Sequence, residues 1–110
     1  MKLLLPLLCL ATPVVADPAV IEDVRYSGGR FEVTLSHGDT GWDDYADGWR
    51  IELADGTVLG TRVLAHPHVT EQPFTRSSSI TVPAGVTEVY VRARTNVDGW
   101  AAATKRFAIR

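Results

Sequence analysis

With 110 residues, a net charge of −2 and acidic and basic side chains interspersed, the chain has room for a single modest core. It lacks the basic tract that nucleic acid or an anionic membrane surface would call for. Its one Cys and one Met, Cys9 and Met1, sit at the extreme N-terminus, so the remainder has no disulfide and no sulfur ligand for a metal.

Residues 1–16 read as a secretory signal peptide. Lys2 is a minimal basic segment, Leu3 to Leu10 is apolar, and Val14-Val15-Ala16 ends in small residues that suit a signal peptidase. The apolar run is short and interrupted by Pro6 and Pro13, which disfavours a membrane span. Leu8 precedes Cys9 where a lipoprotein signal would place a small residue. The expectation is cleavage after Ala16, export to a periplasm or beyond, no membrane insertion afterwards, and one domain over 17–110.

Short alternating segments separated by turn residues fill that domain, and no helical period emerges. Val20 to Tyr26 is a first strand, closed by Ser27-Gly28-Gly29. Phe31, Val33 and Leu35 alternate with Arg30, Glu32 and Thr34 in a second. A polar loop runs from His37 to Tyr45, before Trp49, Ile51 and Leu53 mark a third strand. Ala54-Asp55-Gly56 is hairpin chemistry. Thr57 to Ala65 is a fourth strand, His66 to Arg76 is irregular, and Ser77 to Val82 is a fifth. Pro83-Ala84-Gly85 is a turn. Then Val89, Val91 and Ala93 alternate with Tyr90, Arg92 and Arg94 in a sixth strand, predicted to be central because turns flank it on both sides. Ala101 to Ile109 is a seventh. The pattern predicts an all-β, seven-stranded antiparallel sandwich.

The run from Ile80 to Gly99, with its Pro-containing turn, alternating valines and Arg92-Ala93-Arg94 ahead of the Asn96–Gly99 loop, resembles the late strands of a fibronectin type III domain. Thr87 stands where that family has its corner tyrosine, and Trp49 lies on the third strand, as in immunoglobulin-like domains. The resemblance implies a fibronectin type III/immunoglobulin-like sandwich and no particular function.

In such a sandwich successive connections alternate between the two ends. The tight turns at 27–29, 54–56 and 83–85 then share one end, and the long loops 37–45, 66–76 and 96–100 meet at the other. All three histidines of the chain fall in those long loops. Loops held by a rigid scaffold are where binding residues gather. The expected function is a small non-catalytic binding module that engages a protein or glycan through Trp42, Asp43, Asp44, Tyr45, Gln72, Phe74, Arg76, Asn96 and Trp100. Flat aromatic rings among amides and carboxylates suit both partners.

A divalent-metal site is the alternative. His66 and His68 flank Pro67 and project to one side of an extended backbone, and His37 supplies a third imidazole for Zn²⁺ or Cu²⁺. Asp39, Asp43, Asp44 and Asp47 lack the alternating oxygen spacing of a calcium loop and read as turn chemistry. The sequence has no nucleophile elbow and no phosphate-cradling glycine motif, so no enzymatic activity and no obligatory cofactor are expected. Glu71 to Arg76 reads as the core of a polar network that locks the long-loop end, with Gln72-Pro73 able to be cis and Arg76 reaching Asp43, Asp44 or Asp98.

Overall fold

A computed structural model describes residues 17–109; the expected signal peptide lies outside them. Eight strands are formed: β1 (Val20–Ser27), β2 (Arg30–Ser36), β3 (Ala46–Glu52), β4 (Val58–Val63), β5 (Phe74–Ser79), β6 (Glu88–Thr95), β7 (Gly99–Trp100) and β8 (Lys105–Ala108). They make two antiparallel sheets, one ordered β1-β2-β5 and the other β4-β3-β6, with β7 and β8 both pairing the far side of β6. The protein is therefore an all-β sandwich; the predicted seventh strand, 101–109, is reduced to β8, and β7 is an added short strand within the stretch read as the 96–100 loop.

Local chemistry explains the register. Gly28 and Gly29 both have positive φ, at 59° and 77°, the backbone a two-residue hairpin needs to match strand twist, and Ser27 pairs with Arg30 across them. Period-2 alternation then directs Phe31, Val33 and Leu35 of β2 inward to meet Trp49 and Ile51 of β3 and Val89 and Val91 of β6, all essentially inaccessible. Each such side chain, once removed from water, contributes about 1.5–3 kcal/mol. Gly60 on β4 is a close-approach site: a Cβ there would lie 2.8 Å from a carbon of Ile80, so any side chain would force the two sheets apart.

Two expectations are corrected. β5 starts at Phe74, inside the stretch read as irregular, because Phe74 is a core residue whose strand pairing (Leu35 opposite Phe74) outweighs the neighbouring proline signal. The Pro83–Gly85 turn does not join partners in one sheet; it carries the chain from β5 across to β6 in the other sheet. On the outer face, Glu52 is buried. It accepts hydrogen bonds from Arg50 (2.7 Å) and from its cross-strand neighbour Arg92 (2.6 Å). The Arg92 hydrogen bond, opposed by burial and aided by Arg50, holds the Glu52 carboxyl below its usual range.

The alternation of connections holds. Asn96 N–H donates to the Tyr45 carbonyl and Leu64 N–H to that of Asp47, so the three long loops converge at one end. Ile80 N–H donates to the Gly29 carbonyl at the opposite end, among the tight turns.

Candidate functional site

The long-loop end is organised on one buried carboxylate. Asp39 follows β2 by three residues, in a turn closed by its own N–H to the His37 carbonyl (2.8 Å). Its side chain is 0 % exposed. Its oxygens accept from the Ala46 N–H (3.0 Å), the His68 N–H (2.8 Å) and the His37 ring at Nδ1 (2.6 Å). One aspartate thereby ties the start of β3 and the His66–His68 loop to its own loop. Gln72 adds a second tie: Oε1 accepts from the His37 N–H and Nε2 donates to the His68 carbonyl. The Gln72-Pro73 peptide bond is cis. The expected locking network exists, and its centre is Asp39 with Gln72.

The two histidines of this network sit in opposite electrostatic settings. His68 lies flat on Phe74, ring centroids 3.9 Å apart, and its Nε2 accepts a hydrogen bond from Arg76 (2.7 Å). A guanidinium only donates, so the His68 ring proton belongs on Nδ1, which is buried with no hydrogen-bond partner. Burial, with the adjoining charges of Arg76 and His66, pushes the His68 pKa down. Arg76 also donates to Glu71 (3.1 Å), so its partners are His68 and Glu71 and not the expected aspartates.

His37 is surrounded by oxygen. Its side chain is 1 % exposed; Nδ1 meets Asp39, and Nε2 lies 2.9 Å from the Asp17 carbonyl, 3.5 Å from the Asp17 carboxylate and 3.8 Å from that of Asp44. Burial alone would lower its pKa, but the Asp39 hydrogen bond, the Asp17 carbonyl and the charges of Asp17 and Asp39 outweigh it and raise the value. Asp17, His37 and Asp44 each offer a ligand atom within 4.8 Å of the others, a metal-capable group. His66 and His68 stand outside that group. Their rings are 4.6 Å apart, and exposed His66 turns its Nδ1 to the Pro67 carbonyl.

Of the expected binding residues, Trp42, Asp43, Asp44, Tyr45 and Asn96 form one rim. Trp42 is 66 % exposed and meets Tyr45 edge-on at 5.6 Å. Asn96 spends both ends of its amide on this loop: Nδ2 donates to the Trp42 carbonyl and Oδ1 accepts from the Tyr45 N–H. Asn96 is thus a positioning residue. Phe74 is buried beneath His68 and faces no solvent. Trp100 stands apart from the Trp42 rim: as part of β7 it pairs with Arg94, with the Arg50 guanidinium 4.1 Å above its ring, and it lines a cleft with Tyr45 and Ala65.

Sequence reasoning missed Asp17 and the burial of Asp39. Asp17 is remote in the chain from its neighbours, and nothing local marks it. For Asp39 a signal existed: His37-Gly38-Asp39 puts a carboxylate two residues from an imidazole, a spacing that favours a ring-to-carboxylate bond.

No family model matches the chain. A protein of Halomicrobium mukohataei named "Putative lipoprotein" is 49 % identical over 80 residues, covering 70 % of this chain and 39 % of its own length. The chain thus spans about two fifths of that relative. Among solved structures, the superoxide reductase (1Fe-SOR) from Giardia intestinalis matches with a TM-score of 0.56 at 14 % identity, over 86 % of this chain and all of that one. At that identity the likeness concerns the fold. It is enough to correct one expectation. The expectation of no enzymatic activity, drawn from the lack of a nucleophile elbow and of a phosphate-cradling glycine motif, does not stand, because the same fold serves an enzyme.

Proposed function

We propose that this domain works in an exported or membrane-anchored setting as a binding module, engaging a glycan or protein through the rim of Trp42, Asp43 and Tyr45. The observation that supports this reading is the combination of exposure and order at Trp42. A large apolar ring lies open to water while its carbonyl, the neighbouring N–H of Tyr45 and the Thr40–Asp44 turn are all hydrogen-bonded. An aromatic side chain held this way loses little conformational freedom on binding, which is the economy that makes aromatic anchors effective. The setting is supported by the leader-like N-terminus and by the name of the Halomicrobium relative.

The test follows the indole N–H signals of the chain in a two-dimensional NMR spectrum during titration with a panel of soluble oligosaccharides. A glycan ligand shifts the Trp42 signal and leaves that of buried Trp49 in place. Silence across the panel assigns the rim to a protein partner. A ligand that binds the Trp42→Ala variant as tightly as the parent chain would sink the reading.

A further inference from the structure

We propose that Asp17, His37 and Asp44 form a binding site for a divalent transition ion of the Zn²⁺ class, with Asp39 as the positioning residue behind the imidazole. The inference is independent of what the Trp42 rim binds. It rests on three observations.

The first is orientation. Asp39 is a carboxylate and only accepts, so its bond to Nδ1 places a ring proton there and turns Nε2 toward Asp17 and Asp44. A buried carboxylate on the far nitrogen of a ligating histidine is the usual second layer of a metal site, fixing both ring and tautomer. The neighbours of Nε2 are the Asp17 carbonyl and two carboxylate oxygens. An Nε2–H donates to the Asp17 carbonyl at 2.9 Å, and a metal ion binds by replacing that proton among the same oxygens.

The second is charge. Among the described residues no Lys or Arg lies within ion-pair distance of Asp17, Asp39 or Asp44, and one imidazole is their sole basic neighbour. Even as a cation it leaves the group negative, a field that attracts a further cation.

The third is spacing. Donors about 2.0–2.1 Å from a tetrahedral ion stand roughly 3.3 Å from one another. The Nε2 distances of 3.5 Å and 3.8 Å to the two carboxylates need only a small contraction to reach that figure. One imidazole with carboxylates suits Zn²⁺ or Cu²⁺, whereas Ca²⁺ and Mg²⁺ take oxygen-only shells, so the site selects transition ions. Asp44 lies between Trp42 and Tyr45 in sequence, which places the ion directly behind the rim.

Calorimetric titration with Zn²⁺, paired with the visible absorption of bound Co²⁺, tests the site on the chain beginning at Asp17 and on the chain with its leader. One ion binds per chain, Asp44→Asn weakens it at least tenfold, and His66→Ala leaves it unchanged; excess Ca²⁺ does not compete. Replacing His37 risks the loop fold, so Asp17→Asn serves as the second variant and weakens binding in the same direction. The absence of Zn²⁺ heat and of a Co²⁺ spectrum overturns the proposal. So does binding that survives both aspartate variants, or that disappears with His66→Ala.

Discussion

His37 and His68 are joined through a single aspartate, yet their surroundings differ in sign. His37 is enclosed by Asp17, Asp39 and Asp44; His68 is pinned between Phe74 and the Arg76 guanidinium. The first setting favours a positive imidazole and the second a neutral one, and the pKa values move apart accordingly. Both are imidazoles in long loops at the same end of the sandwich. What separates them is the charge of the side chains that other loops and strands deliver to each ring.

Removing the shared link breaks the comparison most completely. Asp39→Ala strands the buried N–H groups of His68 and Ala46 and leaves His37 without its ring partner, at a cost of about 3–5 kcal/mol. Denaturant unfolding measures this, and a loss under 1 kcal/mol would mean that Asp39 does not organise the end. Gln72→Ala removes the second tie and costs about 1–2 kcal/mol by the same assay. The comparison sharpens with Arg76→Gln, which costs about 0.5–1.5 kcal/mol and lets the His68 pKa rise while that of His37 stays in place. NMR titration of the ring protons in the parent chain should find His37 above 6.5 and His68 below it; the reverse order would refute the electrostatic account.

The two rings also leave opposite marks on stability. The contribution of His37, whose folded pKa is raised, is fully present below 6.5 and fades as pH climbs through the folded value. That of His68, whose folded pKa is depressed, is present above 6.5 and fades as pH drops through its folded value. The windows lie on either side of 6.5, so unfolding midpoints measured across that pH show the two losses separately. The smallest effect is expected at the rim, where Trp42→Ala changes stability by less than about 0.5 kcal/mol because the ring is exposed.

Much of the framework was legible in the residues. The alternation of Phe31, Val33 and Leu35, and of Val89, Val91 and Ala93, places those side chains in the core, and Trp49 points inward as its strand position requires. Phe74 shows where local reading fails. Pro73 beside it signals a loop, and only the opposing Leu35 makes Phe74 a strand residue. Trp100 fails for the same kind of reason: its two-residue strand is defined by pairing with Arg94 and Thr95, which no local pattern announces.

Strand identity, face and the end to which each loop belongs follow from period-2 alternation and turn chemistry, which act between residues close in sequence. The partners of each histidine do not, because Asp17 reaches His37 only through the β1–β2 register and Arg76 reaches His68 only once the loop before β5 folds back on that strand. Charge meeting charge across separate loops is decided by distance in space, and that is the quantity that tertiary structure alone supplies.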